Sequence, residues 1–251
     1  MHNLISIITP CCNAAKHLVQ TIESVLAQSW QDWEMLIVDD CSTDGSADII
    51  KKYENKDLRI KYFRTSQQSG SPAVPRNVGI ENARGRYIAF LDSDDMWLPN
   101  KLEVQMKVLM ENATAAIVYS YYEKVSESGV RSDRVVMSPC RITYNDLLYG
   151  NVIGCLTGMY DTEKVRKVYM KQIGHEDYPM WLEILKSGYI GVNTCDVQAL
   201  YRVREGSVSA DKFKSARWQW KIYRDVEHLG FFKTMRCFIS YAFKGMAKSL
   251  I

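Results

Sequence analysis

The amino-acid sequence predicts an α/β fold with a mainly parallel sheet flanked by helices. In the first half of the chain, short runs rich in β-branched residues alternate with segments whose apolar residues recur at helical spacing, and short polar loops join them. This alternation is typical of parallel strands connected by right-handed helical crossovers. Because ligands bind such sheets at the carboxyl ends of the strands, we expect the functional residues there.

The predicted strands and helices of the first half follow one another in a regular order. Buried β-rich runs predict strands over residues 4–9, 33–40, 59–65, 86–92 and 114–125. Apolar spacing, a capping Ser42 and an early Pro99 predict helices over residues 15–29, 42–54 and 98–112. A loop punctuated by glycine and proline leads into a further helix near Arg76.

The regular alternation of predicted strands and helices ends after residue 125. Residues 126–160 are typical of irregular strands and turns, whereas residues 175–188 have the apolar face of a helix. A strand over residues 197–203 and a polar loop come next, and two helical patterns end the chain. We therefore predict three segments, over residues 1–125, 126–211 and 212–251.

Composition and charge are those of an ordinary globular protein. Hydrophobic residues make up 47% of the chain and charged residues 24%, which argues against intrinsic disorder. The net charge of +3 is unevenly placed, because residues 212–251 hold nine Lys or Arg and two acids, a charge of +7. The remainder carries 3 − 7 = −4. A basic tail on a mildly acidic body indicates either an anionic surface as partner or a solvated helix face.

The seven cysteines and the apolar runs bear on the cellular compartment. The cysteines show no C-x-x-C spacing and no accompanying histidine cluster, so neither a disulfide framework nor a zinc site fits them. We expect small buried thiols in a reducing compartment. Neither a signal peptide nor an apolar run of about 18 residues is visible. We therefore expect a cytoplasmic protein, peripheral on the inner face of the cell membrane.

The stretch "YIAFLDSDDMWLP" places three carboxylates, Asp92, Asp94 and Asp95, directly after an apolar strand. Like charges this close repel one another, and a divalent cation removes the repulsion. Mg²⁺ or Mn²⁺ prefers oxygen ligands, and two protein carboxylates leave positions for substrate phosphates. The alternative is a solvated acidic turn or a helix cap.

Two further polar groups fall at predicted strand or helix ends of the first half. Asp39 and Asp40 end the second strand, where such a pair can hydrogen-bond a base or a ribose. Arg76 and Asn77 stand at a helix start, where a guanidinium can meet phosphate. The alternative interpretation for each is an ordinary solvated surface group.

The second half adds an acidic helix start and an arginine-rich loop. Glu176 and Asp177 either favour the helix dipole or, across a cleft from a metal-bound phosphate, supply a general base. Trp181 is either a wall on which a sugar stacks or a core aromatic. The loop "YRVREGSVS" either closes over a diphosphate or forms an exposed turn.

Together these residues resemble the family 2 glycosyltransferases, which have the GT-A fold. The matching stretches, in order, are "SIITPCCN", "SVLAQSWQDWEMLIVDDCSTDGS", "GSPAVPRNVGIENARGRYIAFLDSDDMW", "HEDYPMWLEIL" and "YRVREGSVS". They cover about residues 3 to 210, and the first-half motifs are specific in combination and spacing. The resemblance is nearest to bacterial enzymes of surface-polysaccharide assembly, of the O-antigen, capsule and teichuronic acid type.

The resemblance implies that one set of residues binds the nucleotide-sugar: Pro10, Asn13, Asp39, Asp40, Arg76, Asp92, Ser93, Arg202, Arg204, Ser207 and Ser209. Within this set Asp40 looks like the acid that recognises uracil, and Asp92 looks like the contact to ribose or to a metal-bound water. Asp94, with Asp92, looks like the ligand of Mn²⁺ or Mg²⁺.

The resemblance also implies an acceptor side and a reaction. Glu176 and Trp181 are expected to face the acceptor, and Asp177 matches the general base. Asp95 is expected either to face the acceptor as well or to support the exposed acids from behind. The implied reaction is a single inverting displacement from a UDP-sugar, with Gal or Glc as the expected hexose. An N-acetylhexosamine transferase, a nucleotidyltransferase and a non-catalytic sugar-nucleotide-binding module are the alternatives.

The resemblance also divides the three segments by role. Residues 1–125 form the nucleotide-sugar-binding half of the GT-A domain, and residues 126–211 form the half that holds the acceptor and the base. Residues 212–251 form a basic helical extension with an amphipathic pattern after residue 230, suited either to an anionic membrane surface or to packing on the domain. A polyprenyl-diphosphate-linked saccharide is the expected acceptor, and no nucleic acid is expected as partner.

One position departs from the family pattern. Relatives usually have an aromatic residue just before the asparagine of the first motif, and its ring packs on the base. Here Cys12 precedes Asn13, so stacking on the base is lost or comes from another residue.

Overall fold

A computed structural model describes residues 3–203 and 212–249, except for the side chains of residues 212 and 244–249. The strands are β1 Ile5–Cys11, β2 Trp33–Asp39, β3 Ile60–Arg64, β4 Tyr87–Phe90, β5 Met96–Trp97, β6 Ala115–Val125, β7 Arg131–Val136, β8 Arg141–Ile142, β9 Met159–Asp161 and β10 Ile190–Arg202. The helices are α1 Ala15–Leu26, α2 Ser46–Glu54, α3 Ala73–Asn82, α4 Lys101–Glu111, α5 Tyr144–Leu147, α6 Thr162–Val165, α7 Asp177–Lys186, α8 Lys212–Lys221 and α9 Phe231–Ser249.

One sheet contains strands from both halves of the sequence, in the order β3-β2-β1-β4-β9-β6-β10-β5. The first four strands of this order are parallel, as predicted. The short strand β9 lies antiparallel between β4 and β6, and β6 is parallel to β10. The predicted fifth parallel strand is therefore present, but it joins the first four only through an antiparallel strand. The prediction of a strand over residues 197–203 was too short, because β10 starts at Ile190.

Apolar layers cover both faces of the sheet. Ile5 and Ile7 of β1 pack with α1 on one face, whereas Ile8 packs with α3 and α7 on the other. Strand β1 alternates between the two faces because successive side chains of a strand point to opposite sides. Helix α3 lies so close to β1 that a Cβ at Gly79 would come within 2.5 Å of Ile8 Cγ2. This close packing fixes the start of α3 at the carboxyl edge of the sheet.

Two local predictions were wrong. Ser42 does not cap α2, which begins at Ser46; its hydroxyl accepts the backbone N–H of Asn13 at 2.9 Å instead. The cysteines are not all buried, because Cys12, Cys140 and Cys195 are exposed. All seven cysteines are free thiols, and the sulfur atoms of Cys140 and Cys195 lie 2.6 Å apart.

The C-terminal helices pack on the sheet-bearing part of the chain and also leave apolar side chains exposed. Ile222 and Tyr223, in a π-helical turn after α8, are fully buried, and the Tyr223 hydroxyl donates to the Leu148 carbonyl at 2.6 Å. Thr234 and Cys237 form the buried face of α9. Its exposed apolar side chains are Phe231, Phe232, Ile239 and Phe243. Among the described residues, no helix is long and apolar enough to cross a bilayer.

A buried ion pair joins the inserted strand β9 to the parallel part of the sheet. Arg86 donates from Nε and Nη2 to the two carboxylate oxygens of Asp161, at 3.0 and 2.6 Å, and Asp161 is buried. Arg86 also pairs with Glu163, whose side chain is exposed. The first pair is bidentate and desolvated, whereas the second faces water.

We predict that Arg86→Ala lowers the free energy of unfolding by about 3 kcal/mol, because it leaves the buried Asp161 carboxylate without its cation. Urea titration followed by circular dichroism measures the loss. Glu163→Ala, which removes only the exposed partner of the same arginine, is the control and should cost about 0.5 kcal/mol. Equal losses in the two variants would contradict the structural role given to Asp161.

Candidate functional site

The predicted polar residues of the first half meet at the carboxyl edge of the parallel strands. In the sheet register Cys11 lies beside Asp39, and Ile8 lies beside Phe90, the last residue of β4. The loops after β1, β2 and β4 therefore leave the sheet side by side. The sequence prediction that these strand ends share one edge is confirmed.

Asn13 and Asp39 shape the two loops that follow β1 and β2. Asn13 has a left-handed backbone, with φ of 50°, and its side-chain oxygen accepts the N–H of Thr43 at 2.8 Å. The fully buried Asp39 carboxylate accepts the N–H of Ser42 at 2.9 Å and the Tyr62 hydroxyl at 3.1 Å. Pro10 is buried within β1. These residues order the backbone at the carboxyl edge of the sheet. Their contact with a nucleotide remains a prediction.

Asp40 ties the loop after β3 to the same edge. Its carboxylate accepts the Thr65 hydroxyl at 2.8 Å, and also the N–H and the hydroxyl of Ser69 at 3.0 and 2.8 Å. Next to this loop, Gln68 Nε2 lies 3.6 Å from the sulfur of Cys12. The thiol of Cys12 therefore contacts an amide side chain at the rim of the site.

Arg76, near the start of α3, is the positive charge at the centre of the site. Its side chain is buried, and Nη2 donates to Asp92 Oδ1 at 2.5 Å. Burial by itself would lower the pKa of the guanidinium, but the charge and hydrogen bond of Asp92 raise it above its usual value, and Asp177 acts in the same direction. Its Nε is buried with no hydrogen-bond partner among the described residues. Arg76 is thus a fixed cation between two candidate functional acids.

The three acids of "DSDD" divide into exposed and buried positions. Asp92, Ser93 and Asp94 are partly exposed, whereas Asp95 is buried. Asp95 accepts the backbone N–H of Arg202 at 2.8 Å. Burial and the charges of Asp92 and Asp94 raise its pKa well above the usual range. The prediction that Asp95 faces the acceptor is therefore wrong, whereas the other role expected of it, support behind the exposed acids, agrees with a buried carboxylate that holds β10.

Arg202 also differs from the prediction. It is the last residue of β10, it is buried, and its guanidinium donates to the carbonyls of Asp94 and Glu127 at 2.7 and 2.6 Å and to Gln20 at 2.6 Å. These hydrogen bonds hold the loop of Asp92, Asp94 and Asp95 against the end of β10. The prediction that Arg202 closes over a diphosphate is therefore wrong in this structure. The remaining residues predicted for that loop, Arg204, Ser207 and Ser209, lie outside the described residues.

The exposed acids have the chemistry of a divalent-cation site completed by substrate. Among the described residues, no group of three or more His, Cys, Asp or Glu side chains converges as a metal cage. The acids of this loop that reach the surface are Asp94 and Asp92, both partly exposed, and Asp92 pairs with Arg76. Mg²⁺ or Mn²⁺ bound by one or two protein carboxylates takes its other oxygen ligands from phosphates and water, and this pair of acids fits such an ion.

Asp177 opens helix α7 across from Arg76. Its Oδ2 accepts the Asn151 side-chain N–H at 2.9 Å. Burial raises the pKa of the carboxyl group, and the charge of Arg76 and the hydrogen bond from Asn151 oppose that rise. A carboxylate with a raised pKa, one fixed hydrogen bond and a nearby cation has the properties of a general base. Asn151 carries no motif that would identify it in the sequence.

Two more residues complete the surroundings of Asp177. Glu176 accepts the Ser71 hydroxyl at 3.3 Å, which joins the start of α7 to the loop before α3. Cys155, in a short 3₁₀ turn, lies within electrostatic reach of Arg76, Asp92 and Asp177, and burial raises the pKa of its thiol well above the usual value. No sequence pattern places Cys155 beside Asp177, since cysteine was expected only as a core residue.

Trp181 is a core residue. Its side chain is fully buried, and its ring packs edge-on against Phe90 at 5.8 Å and Tyr160 at 6.4 Å between centroids. The prediction of a sugar-stacking wall is therefore wrong, because no face of the indole reaches the cleft. Trp181 instead fixes α7 on the sheet below the acidic edge.

Comparisons with known proteins agree with this arrangement. Residues 6–160 match the Glycosyl transferase family 2. The chain is 42% identical over 248 residues to a Bacillus subtilis protein named as a teichuronic acid biosynthesis glycosyltransferase, TuaG, with 98% of each chain covered. It is 38% identical over 223 residues to the Escherichia coli UDP-Glc:α-D-GlcNAc-diphosphoundecaprenol β-1,3-glucosyltransferase WfgD, with 88% of this chain and 86% of that protein covered.

A solved structure has the same fold at low sequence identity. The Staphylococcus aureus TarS fragment 1–349, in complex with UDP-GlcNAc, superposes with a TM-score of 0.74 at 21% identity, over 95% of this chain and 71% of that one. At this identity the likeness concerns the fold alone, and it confirms the predicted GT-A architecture. The extent of the family match and the two relatives together establish that the chain belongs to glycosyl transferase family 2 and is a glycosyltransferase.

Proposed function

We propose that the protein is an inverting, metal-dependent transferase that moves a hexose, glucose or galactose, from a UDP-sugar to a lipid-linked saccharide of surface-polysaccharide synthesis. The observation that carries the proposal is the arrangement around Arg76, which pairs with Asp92 and interacts electrostatically with Asp177. A candidate donor-side acid and a candidate base thus share one cation. The activity for which WfgD is named, transfer from UDP-Glc to a diphosphoundecaprenol-linked sugar, supports the donor and acceptor class.

On the donor side, Asp40, Asp39 and Asn13 line the edge proposed to hold the uridine. Their hydrogen bonds to Ser69, Ser42 and Thr43 order the loops against which a base would lie. Ser93 and Asp92 lie at the ribose side of the exposed acidic loop. Mn²⁺ or Mg²⁺ on Asp94, with Asp92 nearby, would neutralise the charge that develops on the leaving UDP.

On the acceptor side, Asp177 is the proposed general base. Asn151 fixes one of its carboxylate oxygens, so the other is available to the acceptor hydroxyl. Asp177 takes the hydroxyl proton as the oxygen attacks the anomeric carbon from the face opposite UDP. An α-linked donor then gives a β-linked product, and WfgD is likewise named a β-1,3-glucosyltransferase. Glu176, beside the base, is proposed to contact the acceptor.

The C-terminal extension supports a peripheral position on the inner face of the membrane. Phe231, Phe232 and Phe243 are exposed on α9, next to the exposed Lys233 and Arg236. Aromatic side chains beside basic ones bind interfaces that carry anionic lipids. Such a position would bring the site to a polyprenyl-linked acceptor.

We predict that Asp177→Asn lowers kcat for sugar transfer by about 10²–10⁴-fold, because the amide cannot accept the hydroxyl proton. UDP release with UDP-Glc or UDP-Gal and a synthetic lipid-diphosphate saccharide measures the rate, and calorimetry should show unchanged UDP binding. Glu183→Gln, an exposed acid on the same helix, is the control and should keep the wild-type rate. Full turnover by Asp177→Asn would eliminate the base assignment.

We predict that Asp94→Ala weakens Mn²⁺-dependent UDP binding by about 100-fold, because the proposed metal loses its carboxylate ligand. Calorimetric titration with UDP, with and without Mn²⁺, measures the effect. Asp48→Ala, which removes an exposed acid from α2, should bind as the wild type does. Unchanged Mn²⁺ dependence in Asp94→Ala would contradict the metal site.

We predict that the triple change Phe231→Ser, Phe232→Ser and Phe243→Ser abolishes sedimentation with vesicles that contain phosphatidylglycerol, because it removes the three exposed phenylalanines of α9. These side chains are exposed, so the change leaves the buried face of α9 intact. Leu58→Ser, at an exposed leucine elsewhere, is the control. Equal sedimentation of the triple variant and the wild type would refute the membrane proposal.

A further inference from the structure

The indole of Trp218, in the C-terminal extension, lies directly on the backbone that leads into helix α7. Gly174 has φ of +76°, and a Cβ there would come within 2.1 Å of Trp218 Cδ2. The next residue, His175, packs edge-on against the Trp218 ring, with 5.5 Å between centroids and 85° between planes. Only glycine permits both the left-handed backbone and this approach of the ring.

The contact reaches Asp177 through the main chain. His175 is also left-handed, with φ of 49°, and its carbonyl accepts the N–H of Tyr178 at 2.9 Å. This hydrogen bond closes the first turn of α7, of which Asp177 is the first residue. A left-handed backbone is unfavourable for a residue with a Cβ and persists where neighbouring groups hold it. His175 Nε2 is buried and has no hydrogen-bond partner in the described part of the chain, so packing holds the ring.

A second contact between the extension and the base helix supports the first. Tyr178, the residue after Asp177, is fully buried, and its hydroxyl donates to the Leu147 carbonyl at 2.9 Å. Tyr223, from the turn after α8, donates to the next carbonyl, that of Leu148, at 2.6 Å. The extension and the first turn of α7 are thus fixed to the same end of helix α5.

We propose that Trp218 is a positioning residue for sugar transfer, which holds Gly174 and His175 so that Asp177 keeps its hydrogen bond to Asn151 and its direction toward the acceptor. The inference rests on the proposed role of Asp177 as the base. The extension then belongs to the catalytic unit, in addition to any contact of α9 with a membrane. Trp218 is only half-buried, so its removal leaves a notch at the surface and spares the two apolar layers of the sheet.

The first test compares transfer kinetics of Trp218→Ala, Trp218→Phe and Trp220→Ala. A displacement of about 1 Å at a catalytic group can cost 100-fold, so we expect Trp218→Ala to lower kcat by 10- to 100-fold with an unchanged KM for the UDP-sugar. Trp218→Phe restores a flat ring and should return to within about threefold of the wild type. Trp220→Ala removes an indole of the same helix that packs on Phe238 of α9, and should keep the wild-type kcat.

The second test needs no turnover. Hydrogen exchange followed by mass spectrometry should show faster exchange of the Tyr178 amide in Trp218→Ala, with exchange unchanged in Trp220→Ala. A wild-type kcat in Trp218→Ala, an equal loss in Trp220→Ala, or unchanged Tyr178 exchange would each overturn the inference. The proposed function fails separately, through full turnover by Asp177→Asn, and in that case faster Tyr178 exchange would still report the contact.

Discussion

The site depends on one buried cation. Arg76 is held inside the protein by the packing of α3 on β1, and the free-energy cost of removing a guanidinium from water is several kcal/mol unless carboxylates compensate it. Asp92 contacts it directly, and the charge of Asp177 acts on it from the start of α7. This arrangement explains how the carboxyl edge tolerates acids from two distant parts of the sequence. The ion pair also orders Asp92.

A second constraint is the attachment of the acidic loop after β4 to the end of β10. Asp95 and Arg202 are both buried, and together they join the loop after β4 to the end of β10 through the Asp95 carboxylate and the Asp94 carbonyl. The two halves of the chain are therefore connected at the point where Asp94 is presented to solvent. Substitutions of Arg202 act on the geometry of that loop, and through it on any metal or diphosphate bound there. The C-terminal extension plays the corresponding part for Asp177, through Trp218 and Tyr223.

Much of the fold followed from periodicity and much of the site from strand ends. Short-range patterns in the sequence, namely β-branched runs, turn residues and polar strand ends, predict the parallel strands β1 to β4. The same patterns predict the edge that these strands share and the acids along it. The antiparallel insertion of β9 between β4 and β6 was not predictable, because a strand of three residues is too short to show the alternation of apolar and polar residues. Asn151 and Cys155 were missed for a similar reason: they lie in irregular turns, and only the fold brings them to Asp177.

The sequence by itself determined the family, the parallel half of the sheet and the candidate acids, because these depend on motifs whose residues are close together in the chain. Tertiary structure alone decided which of those residues can meet a substrate. Asp95, Arg202 and Trp181 carry suitable chemistry, yet all three are buried inside the protein. Burial is a property of the assembled layers, and a side chain that looks functional in a motif can be used entirely to hold the motif in place.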